Sequence, residues 1–238
     1  EIHERLVGSE MCIRDRYSGS GIYRDVNLWT GKDVYISHDK LRITTLSVND
    51  DMAVIEVCAQ LKNIIGHGLE AECLIEIKKD GQKTASDTQR VVFRSEQMQT
   101  VRVQIPIEHP KKWSPKQPAL YECHITTKFD DKICDEAVSN FGIRVLALDP
   151  VRGLQINSET VKLRGTCIHH DNGVIGAETF KEAEWYRCKR LKEAGFNAIR
   201  SAHHPMSRAM LDACDHIGML VMDELTDMWD KEKNTYDF

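Results

Sequence analysis

The residue types best suited to chemistry gather in the last third of the chain, where three apolar runs end. Val161-Lys-Leu-Arg-Gly-Thr-Cys-Ile ends in His169-His170-Asp171, and Phe196-Asn-Ala-Ile ends in Arg200, followed by His203-His204. A third run, Met219-Leu-Val-Met, ends in Asp223-Glu224. A guanidinium can hold a carboxylate ionised and oriented through charge-assisted bonds. A neutral imidazole both donates and accepts hydrogen bonds, which suits a hydroxylated ligand. A parallel barrel builds its active site where its strands end, so polar groups at three such ends point to an enzyme.

The segments between these runs must position them. Thr179-Phe-Lys-Glu182 has capping-box form, with Phe180, Ala183, Leu191 and Ala194 as an apolar stripe and Gly195 as a left-handed stop. A second helix is expected to open at Pro205, to bury Met206, Met210, Ala213 and Ile217, and to end at Gly218. Strand–helix–strand–helix–strand is the start of a parallel α/β domain. Three strands are too few to close a barrel, so the chain reads as truncated. Such a piece would expose the side of an unfinished sheet, an aggregation hazard.

Residues 31–148 follow a different period. Ile55, Val57, Ala59 and Leu61 alternate with polar positions, as do Val101, Val103, Ile105 and Ile107, and Tyr121, Cys123, Ile125 and Thr127. Asp80-Gly81 after the run ending at Ile77 is a hairpin signal. This predicts an antiparallel β-sandwich. Residues 1–16 fit nothing downstream; Val7-Gly-Ser-Glu-Met-Cys-Ile-Arg-Asp-Arg16 resembles a translated sequencing adapter, and the stretch is set aside as a non-native tail rather than a frayed native terminus.

Composition excludes several classes. The 238 residues are 41% hydrophobic and 29% charged, as in ordinary globular proteins. A net charge of −5 gives no footprint for nucleic acid or anionic lipid, and no apolar run approaches a membrane span. The eight cysteines include no Cys-x-x-Cys pair and several fall inside apolar patterns, which favours free thiols and a reducing, cytoplasmic compartment over zinc clusters or a disulfide framework; with the native N-terminus expected to be missing, a periplasmic or secreted setting stays open.

Taken together, the motifs resemble glycoside hydrolase family 2. Tyr17-Ser-Gly-Ser-Gly-Ile-Tyr-Arg-Asp-Val-Asn-Leu28 looks like the end of that family's jelly-roll sugar-binding domain, assigned to residues 17–30. Trp113-Ser-Pro-Lys-Gln-Pro-Ala-Leu-Tyr121 and Phe141-Gly-Ile-Arg144 resemble markers of its immunoglobulin-like domain, residues 31–148. Arg164-Gly-Thr-Cys-Ile-His-His-Asp171, Arg200-Ser-Ala-His-His-Pro205 and Val221-Met-Asp-Glu224 resemble the opening of its catalytic barrel, residues 149–238. The implied fold is an immunoglobulin-like β-sandwich followed by the first three βα units of a TIM (β/α)8 barrel. The wording around Cys167–Gly176 and Met210–Asp215 is closest to bacterial β-galactosidase-like members.

The resemblance implies a retaining glycosidase acting on terminal β-galactosides or β-linked oligosaccharides, with two carboxyl groups ~5–5.5 Å apart. Both catalytic glutamates would lie beyond this chain, which alone should be inactive. Arg200 matches an arginine that supports the nucleophilic carboxylate, and His169 and His203 match positions that contact sugar hydroxyls. Asp171 is read as reaching a substrate hydroxyl or capping its loop, Asp223 as site-supporting, and Glu224 as a rim carboxylate. Adjacent Asp223 and Glu224 diverge at a strand end and cannot flank one glycosidic bond. Alternatives for the same residues are a structural ion pair for Arg200, core or rim histidines, and a metal site from His169, Asp171 and His203. Trp229 is a packing residue before it is a sugar platform. No organic cofactor is implied. The run Leu225-Thr-Asp-Met-Trp-Asp230 lacks the histidine of metal-binding relatives, so a magnesium requirement does not carry over, and cation use and oligomerisation of the parent stay open. Competing functions are a β-glucuronidase or β-mannosidase of the same family, a non-catalytic carbohydrate-binding module, and a degenerate barrel serving as a scaffold.

Overall fold

The computed structural model describes residues 24–94, 97–169, 172–202 and 205–225. Residues 28–161 form one compact unit, and residues 24–27 belong with 162–225 in another.

The first unit is built from long strands with one apolar face. β1 (Val34–Ile36), β2 (Arg42–Val48), β3 (Met52–Asn63) and β6 (Met98–Glu108) make one antiparallel sheet, with β3 between β6 on one side and β1 and β2 on the other. β4 (Leu69–Lys79), β5 (Gln82–Phe93), β7 (Tyr121–Phe129) and β8 (Lys132–Phe141) make the second, ordered β5-β4-β7-β8. The alternating residues of β3, β6 and β7 all point inward: Ile55, Val57, Ala59, Leu61, Val101, Val103, Ile105, Ile107, Tyr121, Cys123, Ile125 and Thr127 are buried. They share one core with β4 and β8, as two packed sheets require. Asp80 (φ 52°) and Gly81 (φ 77°) form the hairpin between β4 and β5, with both central residues in the left-handed region. Asp130 and Asp131 repeat that geometry between β7 and β8. Buried Thr127 donates its hydroxyl to the Val34 carbonyl at 2.8 Å, and Asp135 accepts from the Ile36 amide at 2.8 Å, so β1 is tied to both sheets. Three short strands, β9 (Leu146–Asp149), β10 (Gly153–Ile156) and β11 (Glu159–Thr160), form a separate antiparallel sheet at the end of this unit. Of the segment expected to end a jelly roll, residues 17–23 lie outside the described residues, and 24–30 contain no strand.

The second unit alternates strand and helix: β12 (Gly165–Ile168), α1 (Lys181–Glu193), β13 (Ala198–Ser201), α2 (Arg208–Ile217) and β14 (Leu220–Met222). The strands are parallel, in the order β12-β13-β14. The sandwich and the opening βα units are therefore those expected from the sequence, with three local corrections. The expected capping box does not form: α1 starts after Phe180, which has no side-chain acceptor to offer. Its fully buried positions are Glu184 and Cys188; of the expected stripe, Leu191 packs against the apolar core beside Cys188 and Ala183 is half-buried, while Phe180 and Ala194 are exposed. α2 does not open at Pro205 but three residues later, where the Ser207 hydroxyl accepts from the Met210 amide at 3.1 Å and caps the first turn. The stops hold: Gly195 (φ 90°) closes a Schellman turn, with Phe196 N–H on the Leu191 carbonyl and Gly195 N–H on that of Lys192. No described helix is long and apolar enough to cross a membrane.

All seven cysteines among the described residues are free thiols. Burial pushes Cys73 and Cys123 up to about 12, which leaves roughly one thiolate in ten thousand at pH 8. Alkylation at pH 8 read by peptide mass spectrometry should therefore label exposed Cys167 and spare Cys73 and Cys123 until urea unfolds the chain. Equal labelling of all three in the native chain would refute this packing. In the unfolded chain these thiols ionise near 9, so their contribution to stability is intact below pH 9 and is lost as pH rises toward 12.

Candidate active site

Parallel pairing sets which side chains share a face. Ile199 aligns with Thr166 and Val221, and Ile168 with Ser201; Ile168, Ile199 and Val221 pack against Cys188, Met210, Ala213 and Cys214 of the helices. Side chains alternate along a strand, so the intervening row, Cys167–Arg200–Met222, faces away from the helices, and all three are exposed. That is the face a parallel barrel turns toward its interior.

Arg200 is the cation of this row. Its Nε donates to the Glu224 carboxylate and one terminal nitrogen lies 3.8 Å from Cys167 Sγ. The Glu224 hydrogen bond holds the guanidinium above its usual range. The expected rim carboxylate is thus the partner of Arg200, whereas Asp223 turns elsewhere. Asp223 Oδ1 accepts from the Met206 amide at 2.8 Å, at the loop between β13 and α2. That loop is anchored again where Ala202 N–H bonds to Ile168 O at 3.0 Å and where Arg24 donates to Pro205 O at 2.5 Å. Arg24, which the sequence offers only as part of a motif, is therefore a support of the site loop.

The loop after β12 is held from α1. The His169 carbonyl accepts from Arg187 at 3.1 Å, and Arg187 also donates to Asn172 Oδ1 at 2.8 Å. Asn172, Glu184 and Arg187 were not singled out from the sequence. The i,i+3 spacing of Glu184 and Arg187 was the one available signal, and it reads equally well as a solvated surface pair. Of the expected site residues, the fold brings Arg200 beside Glu224 and gives Asp223 a loop-fixing bond; Asp171 and His203 lie outside the described residues. Among the described residues no cluster of three or more His, Cys, Asp or Glu could hold a metal ion, and two members of the sequence-read metal set, Asp171 and His203, are outside them.

The geometry finds close parallels among known proteins. The family model for glycosyl hydrolases family 2 matches residues 34–144, and that for the TIM barrel domain of the same family matches residues 151–229. The chain belongs to glycosyl hydrolase family 2. A β-galactosidase of Bacteroides ovatus is 30% identical over 98% of this chain and 28% of its own length. A β-glucuronidase of Bacteroides fragilis is 28% identical over 86% of this chain and 30% of its own. The crystal structure of a family 2 member from Bacteroides cellulosilyticus superposes with a TM-score of 0.86 at 35% identity, covering 93% of this chain and 29% of that one. The chain thus spans under a third of the length of these relatives. In family terms, the described parallel strands fall within the TIM barrel match and the two large antiparallel sheets within the other, while β10 and β11 of the small third sheet also lie inside the TIM barrel match.

Proposed function

We propose that this segment forms part of a retaining glycosidase that removes terminal β-linked sugars, with β-galactosides as preferred substrates. The observation that carries the reading is Arg200, set on the open face of the parallel sheet and fixed there by Glu224. A rigid guanidinium in that row can orient and keep ionised a carboxylate nucleophile supplied by a later strand. His169 and Asp171 after β12 and His203 after β13 would bind sugar hydroxyls, and Asp223 would hold the second of these loops in place. The chemistry needs a proton donor and a nucleophile ~5–5.5 Å apart and no organic cofactor. The 238-residue chain by itself is expected to show no turnover. Free thiols favour a reducing, cytoplasmic setting.

A second reading is a β-glucuronidase, favoured by the near-equal identity of relatives carrying that name. Initial rates of the full-length enzyme on p-nitrophenyl β-galactoside, β-glucuronide and β-mannoside decide between them. A kcat/KM for the galactoside at least about tenfold above the others supports the first reading. The reverse order transfers the assignment to the sugar that is preferred.

A further inference from the structure

We infer that Arg187, with Glu184 and Asn172, is a positioning clamp for the substrate loop after β12. The inference rests on the proposed glycosidase reading and goes beyond it by giving α1 a role in setting the site. Arg187 bonds to the His169 carbonyl at 3.1 Å and to Asn172 Oδ1 at 2.8 Å, so one guanidinium joins the end of β12 to the turn that begins at Asn172. Asn172 is itself fixed by its amide nitrogen, which donates to Glu184 Oε1 at 3.2 Å and to the Glu178 carbonyl at 2.6 Å. Glu184 lies 3.6 Å from Arg187 and is only 2% exposed. The turn that follows is closed by Asn172 N–H on Gly176 O at 2.8 Å, with Gly173 and Gly176 at positive φ.

Stability alone is a poor reason for this arrangement. Sinking a carboxylate under a helix is costly, and well-packed apolar side chains of the same volume usually serve a core as well or better. Glu184 Oε2 is buried with no hydrogen-bond partner, so the network is not even fully satisfied. What the polar residues achieve and apolar ones could not is directional: two bonds from a planar fork, at fixed angles, to the His169 carbonyl and the Asn172 side chain. Displacements of about 1 Å at such positions cost rate even when the fold is intact.

The test is a double-mutant cycle in the full-length enzyme, read as kcat and KM on p-nitrophenyl β-galactoside. Arg187→Met should lower kcat/KM by about 10- to 100-fold when assayed well below its own thermal midpoint, which falls because buried Glu184 loses its cation, and Arg187→Lys should restore only part, since an ammonium lacks the planar fork. In the His169→Ala background Arg187→Met should cost little more, because the clamp acts through that loop. Full additivity, or an Arg187→Met enzyme as fast as the parent where His169→Ala is slow, overturns the clamp. Should Arg187→Met fail to fold, Asn172→Ala releases the same loop while leaving the Glu184–Arg187 pair on α1. If His169→Ala leaves kcat/KM unchanged, the site reading fails instead. The clamp is then judged by amide hydrogen exchange at residues 172–176: faster exchange by about tenfold or more in Arg187→Met sustains it, and unchanged exchange overturns it.

Discussion

Replacing Trp113 with alanine is expected to destabilise the β-sandwich by about 3–5 kcal/mol, the range for deleting a large buried aromatic side chain. Trp113 is 1% exposed and lies outside the regular strands, yet it joins three segments of its unit. Its amide donates to the Ile143 carbonyl at 2.8 Å, and its carbonyl accepts from Asn157 Nδ2 at 3.0 Å. The Arg144 guanidinium sits 4.5 Å from the ring centroid, a favourable cation–π distance. Gly142 makes the fit possible: a Cβ there would stand 2.8 Å from Trp113 Cβ and Cγ. Gly142→Ala should therefore cost about 1–3 kcal/mol by overpacking the same contact. Urea unfolding followed by far-UV circular dichroism gives both values, with the slope unchanged if only the native contact is lost. A loss below about 1 kcal/mol for Trp113→Ala would mean that the indole is not the joint described here.

The second large effect is on activity. Arg200→Met in the full-length enzyme should lower kcat/KM by about a hundredfold or more, because the guanidinium no longer fixes the carboxylates at the strand ends. Arg200→Lys should recover little, since an ammonium cannot present the same directed fork to Glu224 and to an incoming carboxylate. Thermal midpoints of both variants are measured alongside, and the rates compared at a temperature where each is folded, so that a loss of stability is not read as a loss of chemistry. A kcat/KM within about threefold of the parent would make Arg200–Glu224 a structural pair at the sheet end and remove it from the chemistry.

The sandwich was legible because period-two burial is unambiguous when one face is solvated. Ile55 through Leu61 and Val101 through Ile107 face inward as their alternation demands. Trp113 and the Phe141-Gly-Ile-Arg144 stretch could be picked out separately as motifs, but only the fold shows that they are one contact. In the second unit the glycine stops were readable, since Gly195 and Gly218 are forced by positive φ. The helix starts were not: Ser207 outcompetes Pro205 as the terminus because a hydroxyl can accept the Met210 amide and a proline ring cannot. The inner face of α1 was misread for a related reason. A hydrophobic-period argument looks for apolar residues at buried positions; it finds Leu191, which packs on the core beside Cys188, but passes over Glu184 and half-buried Arg187 on the same helix. Arg200 was found by its place at a strand end, while its pairing with Glu224 rather than Asp223 depends on side-chain directions that adjacent residues do not share.

Product stereochemistry tests the central claim most directly. Proton NMR of the anomeric signals during hydrolysis of p-nitrophenyl β-galactoside by the full-length enzyme should show β-galactose first, with the α-anomer arising only by later mutarotation, as a double-displacement mechanism at these strand ends requires. First appearance of the α-anomer, or no turnover of any β-glycoside by the folded enzyme, would contradict the account.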